Sequence, residues 1–288
     1  MHDVFFFTDI HGMYDLYRAI IDYCIEQDPE CVIVFGGDAC DRGPHGYKIM
    51  HELLAHPQVI YLKGNHEEIF VDAAKELREH FVFNNPTRYE VMERLGIAMH
   101  HGNEFPHITN CIYNGGIDTL TDWILDGMPM DFVEAIDNLQ YTASCLGVDM
   151  CHAGSVYNVF SRVQNAEYNE QEIDKLDKNC ILWDRDLLRY GWAPNRTCVF
   201  GHTPTPHIIA KFYGKDKSLD KIHPCAYVGD FDERLTGRKI DMDTAASGTG
   251  IAYVLNIFTM KAQGFKDTEF LNDEIHKHDV KKIDCIQL

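Results

Sequence analysis

CVIVFGGDACDRG, residues 31–43, joins a short apolar run to a group of glycine and aspartate residues. The run Cys31–Phe35 has the length and composition of a buried strand, and the glycines mark the turn where that strand ends. The same arrangement occurs twice more nearby. Val4–Phe7 ends at Thr8-Asp9, and Val59–Leu62 ends at Lys63-Gly64-Asn65-His66. The sequence therefore predicts three strands that each carry polar side chains directly after the last residue of the strand.

Two amphipathic segments separate these strands. Apolar residues recur at helical spacing in Tyr14–Ile25, and Gly46–Leu54 has the same character. Strands that alternate with helices indicate βαβ units and parallel pairing. In open sheets of this kind, ligands bind beyond the carboxyl ends of the strands. The three polar groups should therefore converge on one site.

The rest of the chain predicts a helical insertion followed by a second sheet. Residues 80–140 carry helical patterns around Tyr89–Leu95 and Phe132–Leu139, and we interpret them as a helical cap. Later strands are predicted at Val148–Cys151, Cys198–Phe200, Ile208–Tyr213, Ala226–Val228, Lys239–Met242 and Ile251–Phe258. Two mixed sheets packed as a sandwich, with helices outside, give an α/β fold. We expect residues 1–288 to form a single domain, because the sequence shows no linker.

The composition limits the class of protein. The 288 residues carry a formal net charge of −19, which argues against a nucleic-acid partner. No apolar stretch is long enough to span a membrane, and Val4–Phe7 is too short for a signal peptide, so the sequence predicts a cytoplasmic protein. The ten cysteines form no C-x-x-C pair, and we expect reduced thiols. The sequence does not indicate an oligomeric state.

Five polar segments follow one another along the chain, each at a predicted strand end. They are Asp9-Ile10-His11-Gly12, Gly37-Asp38-Ala39-Cys40-Asp41-Arg42-Gly43, Gly64-Asn65-His66-Glu67, His152-Ala153-Gly154 and Gly201-His202-Thr203. Together they resemble the motif set of the phosphoprotein-phosphatase family, within the calcineurin-like metallophosphoesterases. The resemblance covers most of residues 3–67 and, more thinly, residues 114–250.

Further segments resemble the bacterial and phage serine/threonine phosphatase branch of that family. They are Asn114-Gly115-Gly116 with Thr119, Leu182-Trp183-Asp184-Arg185, and Gly201-His202-Thr203-Pro204 with Asp243-Thr244. The Ser-Ala-Pro-Asn-Tyr-Cys segment typical of eukaryotic members is absent from the sequence.

A pair of divalent cations is the cofactor that this resemblance implies. Two cations held close together need a shared carboxylate with nitrogen and oxygen ligands on either side, and Asp38 is the natural bridge. The implied ligands are Asp9, His11, Asp38, Asn65, His152 and His202. Asp9 and His11 would complete the first site, and the other three the second. Manganese is a common activator in this family, and iron–zinc pairs also occur.

The mechanism that follows is in-line attack on phosphorus by a hydroxide that bridges the two cations. The residues that would bind the phosphate group are Arg42, Arg185 and Asn65. His66 would protonate the leaving oxygen, and Asp41 would orient its imidazole and hold it cationic.

The sequence departs from the family pattern at three positions. Thr8 stands where the first motif usually has glycine, and it should not bind metal. Pro204 replaces the second histidine of Gly-His-x-His, which favours the phosphoprotein phosphatases over related nucleases. Ala245 stands where bacterial relatives often have glycine, and we expect this to affect only how the last sheet closes. Arg185 rests on a weaker motif, and the alternative is a surface arginine on a helix.

Phosphoserine or phosphothreonine in proteins is the leading substrate, with phosphotyrosine or a small phosphoester also open. The alternative is a nucleotide hydrolase resembling the symmetrical diadenosine tetraphosphate hydrolases, which share the metal motifs and a Gly-His-Thr-Pro segment. A third class, a non-catalytic module, is disfavoured because neither Asp38, His66 nor any implied ligand is lost.

Overall fold

The computed structural model describes residues 2–154, 181–185, 197–206, 227–228, 238–270 and 279–288. Its helices are α1 (Tyr14–Gln27), α2 (Gly46–Ala55), α3 (Asn65–His80), α4 (Arg88–His100), α5 (Pro106–Tyr113), α6 (Ile117–Leu125), α7 (Met130–Asp137) and α8 (Ala246–Thr249). Its strands are β1 (Val4–Phe7), β2 (Val32–Phe35), β3 (Val59–Tyr61), β4 (Thr142–Cys145), β5 (Val148–Cys151), β6 (Thr197–Phe200), β7 (Tyr227–Val228), β8 (Arg238–Asp241), β9 (Ile251–Asn256), β10 (Lys261–Asp267) and β11 (Val280–Gln287).

The strands form two mixed sheets, which confirms the predicted α/β sandwich. The first sheet has the order β11-β10-β9-β1-β2-β3, and the second has the order β4-β5-β6-β8-β7. β1, β2 and β3 are parallel, as are β5, β6 and β8. β9 pairs antiparallel with β1, so segments from the two ends of the chain lie side by side in one sheet.

The alternation of side chains along β1 builds two separate cores. Phe5 and Phe7 pack into the apolar cluster that the helices form with the first sheet. Val4 and Phe6 point the other way and pack with residues of the second sheet, such as Met150. Successive side chains of a strand point to opposite faces, so both faces of this sheet are buried. This explains why β1 is a continuous apolar run.

Helix α3 was not predicted as a helix. Only its first residues were recognised, as the polar group that ends β3. Its buried apolar residues are Ile69, Phe70, Val71, Ala73, Ala74 and Leu77, which recur at helical spacing. The strand-end motif and the helix start therefore coincide at Asn65, so the polar group after β3 is held by the first turn of a long, well-packed helix.

The insertion at residues 80–140 is helical, as predicted, but it extends the helical layer instead of covering the sheet. Helices α4 to α7 pack on one another and on α2 and α3. Val91, Leu95 and Trp123 are fully buried in the same cluster as β1 and β2. The connection between α5 and α6 also reaches the strand ends, because the carbonyl of Gly115 accepts a hydrogen bond from the amide of Arg42 (2.9 Å).

The later strands agree with the sequence only in part. Strands were expected at Lys239–Met242 and Ile251–Phe258, where β8 and β9 lie. Ile208–Tyr213 lies outside the described residues. β4, β10 and β11 were not predicted, since short or glycine-containing segments with many charges give a weak alternating pattern. The cysteines of the described residues are free thiols. None of the helices that the structure describes is long and apolar enough to cross a membrane.

Candidate metal centre

The five sequence segments meet at one edge of the sandwich. The loop after β1 continues alongside the loop after β2, with backbone hydrogen bonds from Asp9 to Gly37 (3.0 Å) and from His11 to Asp38 (3.0 Å). Across the second sheet, Gly201 donates to the carbonyl of His152 (2.8 Å). Parallel pairing thus places the carboxyl ends of strands from both sheets together. The implied ligands Asp9, His11, Asp38, Asn65, His152 and His202 are all buried.

Asp38 lies at the centre of this group. Its Oδ2 atom is 3.5 Å from Nε2 of His11 and 3.9 Å from Nε2 of His66. Its Oδ1 atom is 3.5 Å from Nε2 of His152. The carboxylate therefore faces imidazoles on two sides, which is the arrangement that a bridging ligand requires.

Asn65 contacts both histidines, His152 and His202, on the second side of the Asp38 carboxylate. Its Oδ1 atom is 2.9 Å from Nε2 of His152 and 2.8 Å from Nδ1 of His202. The two imidazole rings meet edge to face, with centroids 5.1 Å apart. Asn65, His152, His202 and Asp38 thus form one compact cluster of nitrogen and oxygen atoms.

Backbone carbonyls fix the orientation of two imidazoles. Nδ1 of His11 is 2.8 Å from the carbonyl oxygen of Cys40, and Nδ1 of His152 is 2.9 Å from that of Gly36. A carbonyl oxygen can only accept, so the proton of each ring lies on Nδ1. In the neutral rings the Nε2 lone pairs then face the Asp38 carboxylate. Such partner carbonyls are typical of metal-binding histidines.

Asp9 is held against the loop that carries His202. Its carboxylate accepts hydrogen bonds from the hydroxyl of Thr8 (2.7 Å) and from the amide of His202 (3.1 Å). Gly201 allows this contact, because a Cβ atom at that position would overlap Oδ2 of Asp9. The hydroxyl of Thr8 thus orients the neighbouring carboxylate.

Left-handed backbone conformations concentrate in this centre. The residues Asp9, His11, Asp38, Asp41, Arg42 and His202 all have φ between 42° and 70°. Such conformations cost about 1 kcal/mol or more for a non-glycine residue and persist where the surroundings enforce them. The shared strain indicates loops that are shaped to turn their side chains inward.

His66 and Asp41 form a pair beside the cluster. Nδ1 of His66 is 2.7 Å from Oδ2 of Asp41, and both side chains are buried. Arg42 donates to Nε2 of His66 (3.0 Å) and to Nε2 of His11 (2.8 Å). Because a guanidinium only donates, this contact belongs to the neutral form of His66. Protonation of His66 at Nε2 would break this hydrogen bond, because both atoms would then be donors. The guanidinium of Arg42 and the Nε2 proton of His66 would then both face the centre.

The pKa values separate the histidines by role. Burial lowers the pKa of His66, but the carboxylates of Asp38 and Asp41 outweigh burial and raise it to about 9. Burial lowers the pKa of His11 well below its usual value and that of His202 to about 3. His11 and His202 are thus neutral near pH 7, as metal ligands must be.

The two carboxylates also differ. Burial raises the pKa of Asp9 to about 6, with the charge of Asp38 adding to the effect. For Asp38, burial acts in the same direction, but the surrounding imidazoles outweigh it and hold its pKa below the usual range. Asp38 is therefore the carboxylate that stays ionised.

The residues present fit a pair of metal ions. His11, Asp38 and His66 offer three ligand atoms within 4.8 Å of one another, and so do Asp38, His152 and His202. Carboxylates, imidazoles and an amide oxygen without thiolate suit manganese, iron or zinc. The second nitrogen of His202 is buried without a hydrogen bond. His66 belongs to the first of these two groups, whereas the predicted ligand Asp9 belongs to neither.

Glu67 is a residue of the centre to which the sequence assigned no role. Its buried carboxylate accepts hydrogen bonds from the amides of Asp38, Ala39 and Gly64 and from the hydroxyl of Tyr61, all at 2.8 Å. It thereby ties the loop that carries Asp38 to the start of α3. Its place in the Gly64–Glu67 motif was the available signal, but two of its partners, Asp38 and Ala39, lie 29 and 28 residues away in sequence.

Two more distant segments also support the centre. The hydroxyl of Thr119 accepts from the amide of Asp41 (3.1 Å), so the helical insertion positions the His66 partner. The carbonyl of Asp243 accepts from the amide of Thr205 (2.8 Å) and steadies the loop after His202. Ala245 adopts a left-handed conformation (φ 57°). The expectation that alanine in place of glycine at position 245 affects only how the last sheet closes stays a prediction.

Arg185 is the candidate that the structure leaves at the periphery. It is exposed and makes no hydrogen bond or ion pair with other described residues, although its charge contributes to the low pKa of His202. The neighbouring Trp183 ring lies 6.0 Å from that of His202. The segment is helical at 181–183 but not at 184–185, and residues 186–196 are outside the described ranges.

Comparison with known proteins assigns the family. Residues 2–222 match the model of the calcineurin-like phosphoesterases. The chain belongs to this family. Calcineurin-like phosphoesterases are hydrolases of phosphate esters, so the cluster around Asp38 lies in a protein of the matching chemistry. A search of curated proteins gave no match.

Solved structures of family members are similar at low identity. A cold-active protein-tyrosine phosphatase of a psychrophilic Shewanella species is 15% identical, with 92% of this chain and 77% of that one covered and a TM-score of 0.49. A metallophosphoesterase from Sphaerobacter thermophilus is 14% identical (89% and 84% covered, TM-score 0.42). A protein serine/threonine phosphatase from Saccharomyces cerevisiae is 13% identical (100% and 81% covered, TM-score 0.40).

Proposed function

We propose that this calcineurin-like phosphoesterase is a phosphatase that uses two divalent cations to hydrolyse phosphate monoesters. Phosphoserine and phosphothreonine in proteins are the leading substrates. One observation carries the proposal: buried acceptor atoms converge around Asp38 directly beside the His66–Asp41 pair. The Nε2 atom of His66 faces this cluster while its Nδ1 is held by the carboxylate of Asp41, which would place a proton donor beside the cations.

The proposed ligands are the six side chains that the sequence singled out. Asp9, His11 and Asp38 would hold one cation, and Asp38 would share the second with Asn65, His152 and His202. When bound, the cations would supply an activated water and offset the negative charge of the phosphoryl group. Manganese is the proposed metal, with iron and zinc as alternatives that the same donor set accepts.

The chain's own residues would bind the phosphate and handle the proton. Arg42 offers a guanidinium fork that matches phosphoryl oxygens. His66 would donate its Nε2 proton to the leaving oxygen, while the hydrogen bond between Nδ1 and Asp41 keeps the ring oriented and cationic. Asn65 would add a polar contact to the phosphate, and Arg185 would contact it from the rim of the centre.

A substrate screen tests the proposal. The chelated protein is assayed with and without added manganese on p-nitrophenyl phosphate, a phosphoserine peptide and diadenosine tetraphosphate. We expect manganese-dependent phosphate release from the first two. Release of ADP from diadenosine tetraphosphate, with no action on the phosphopeptide, would instead support the nucleotide hydrolase that the Gly201–Pro204 segment resembles. Activity that is unchanged by chelation would contradict the metal role.

A further inference from the structure

A surface groove lies at the opposite end of helix α3 from the metal centre. It has a volume of about 730 Å³ and runs between the end of α3, the segment 81–86 and the turn at 124–128. The residues that define it here are Arg78, Phe81, Phe83, Asn85, Leu125 and Met128. We call it the Arg78 groove. Its size is in the range of sites that hold small ligands or a few side chains.

The groove has a mixed lining that includes several apolar side chains. The rings of Phe81 and Phe83 are parallel within 15°, and the guanidinium of Arg94 lies 4.2 Å from the centre of the Phe83 ring. Arg94 also donates to the carbonyl of Val82 (2.8 Å). On the other side Leu125 is 41% exposed, and Val82 is 74% exposed at the edge. Apolar side chains are therefore presented to solvent on a segment that Arg94 holds in place.

The charge in the groove is opposite to that of the whole chain. Arg78 is exposed, and its guanidinium makes no hydrogen bond or ion pair with any residue that the structure describes. Among the described residues that line the groove there is no aspartate or glutamate, although the chain carries a net charge of −19. An exposed cation beside apolar side chains is complementary to an apolar segment that carries a carboxylate.

The groove and the proposed general acid are joined by one rigid helix. His66 and Arg78 are twelve positions apart on α3, which corresponds to a rise of about 18 Å. An extended chain covers that distance in about six residues. A protein substrate could therefore occupy the groove and the metal centre at the same time.

We propose that the Arg78 groove binds an acidic, apolar segment of a phosphoprotein substrate, at least about six residues away from the phosphorylated side chain. The inference rests on the proposed protein phosphatase function and extends it to substrate choice. The segment places leucine or phenylalanine side chains between Phe81, Phe83 and Leu125, and a glutamate or aspartate side chain pairs with Arg78.

Tethered phosphopeptides test the proposal. A phosphoserine peptide is joined to the segment Glu-Leu-Glu-Phe by a Gly-Ser linker of either twelve or three residues. The longer linker reaches about 19 Å on average, and the shorter one is limited to about 10 Å. In 0.15 M salt, we expect the KM of the twelve-residue peptide to be about tenfold lower than that of the three-residue peptide, because only the longer one raises the local concentration at the centre.

Variants assign the effect to the groove. Arg78→Glu and Leu125→Asp should each abolish the KM difference, while hydrolysis of p-nitrophenyl phosphate stays unchanged. Lys266→Glu, a matched charge reversal on the exposed side of β10, should leave the KM difference between the two linkers unchanged. A peptide with Lys-Leu-Lys-Phe in place of Glu-Leu-Glu-Phe should show no KM difference between the linkers, although the chain as a whole is negatively charged.

Other outcomes overturn the inference in distinguishable ways. Equal KM values for the two linkers, with the phosphopeptide still hydrolysed, would refute the groove and leave the proposed function intact. Equal KM values together with a dimer in light scattering that Leu125→Asp dissociates would assign the groove to a second copy of the chain. Hydrolysis of p-nitrophenyl phosphate without any phosphopeptide hydrolysis would refute the groove proposal together with the protein-substrate part of the proposed function.

Discussion

His66 is the residue on which the proposed chemistry, as distinct from metal binding, depends. Its pKa lies above the usual value because Asp38 and Asp41 outweigh the effect of burial, in contrast to the lowered pKa values of His11 and His202. Its imidazole is fixed through Nδ1 by a single carboxylate oxygen of Asp41. A proton held in this way is available to a leaving oxygen.

Substituting His66 should therefore separate catalysis from metal binding. His66→Asn should lower kcat on a phosphoserine peptide by about 10²–10³-fold, and much less on p-nitrophenyl phosphate, whose leaving group needs little protonation. Manganese content should stay at the wild-type level. His80→Asn, at the exposed end of the same helix, is the control. Full activity of His66→Asn on the phosphopeptide would rule out the assignment as the acid.

Gly201 tests the position of Asp9 without touching a ligand. A methyl group at Gly201 would overlap Oδ2 of Asp9, so Gly201→Ala should displace that carboxylate. We expect manganese affinity to fall by about 10–100-fold, as for other residues that orient ligands. Gly96→Ala is the matched control, because a methyl group there meets open space on α4. Isothermal titration with manganese distinguishes them, and equal affinities would show that Asp9 is not a ligand.

At the scale of elements, helix α3 connects the centre to the rest of the molecule. Lys63, directly before it, is fully buried and forms ion pairs with Glu68 (2.6 Å) and with Asp137 of α7 (2.9 Å). Asp137 also pairs with Lys75 of α3 (2.7 Å). Asp137, the last residue of α7, therefore anchors α3, the helix that carries Asn65 and His66.

The Asp137 contacts predict a particular loss of stability in acid. Burial alone raises the pKa of Asp137, but the hydrogen bonds from Lys75 and Lys63 lower it to about 2. Since the folded-state pKa lies below the unfolded value of about 4, the contribution is complete above pH 4 and is lost as the pH falls towards 2. Asp137→Asn should cost about 1 kcal/mol at pH 7 and progressively less below pH 4.

Urea unfolding at pH 7, 4 and 3 measures this effect. The difference in unfolding free energy between wild type and Asp137→Asn should shrink as the pH falls. Asp131→Asn, at an exposed position of the same helix, should show no such trend. A difference that stays constant with pH would mean that Asp137 acts through packing and not through its charge.

The sequence predicted the elements that bear the site better than those that support it. A strand buried on both faces is a continuous apolar run, and the polar group that follows it is visible in the sequence, as at Phe35 and Asp38. Helix α3 was missed because its first turn is itself such a polar group. Glu67 and Thr119 could not be assigned roles, since the amides that they bind lie 28 and 78 residues away.

At the scale of the whole molecule, the two ends of the chain meet in one sheet. β9 pairs with β1, and β10 and β11 extend the same sheet. The N-terminal strand β1 lies between β9 and β2, so segments that are distant in sequence support the site residues. On this ground we propose that the chain forms one domain. The predicted single-domain organisation awaits an unfolding experiment with several probes.

The acidity of the molecule gives the metal centre a role beyond catalysis. With a net charge of −19, the chain would repel a phosphate group unless positive charge is concentrated where the substrate binds. Among the described residues, Arg42 and the imidazolium of His66 supply part of that charge at the centre. Two divalent cations would supply the remainder.

The number of manganese ions bound per chain is the most direct test of this account. After chelation, incubation with manganese and removal of free metal, elemental analysis by mass spectrometry should find two ions per wild-type chain and at most one in Asp38→Asn, whose side chain cannot bridge. A wild-type chain that retains no manganese, iron or zinc, or an Asp38→Asn chain that retains two ions, would contradict it.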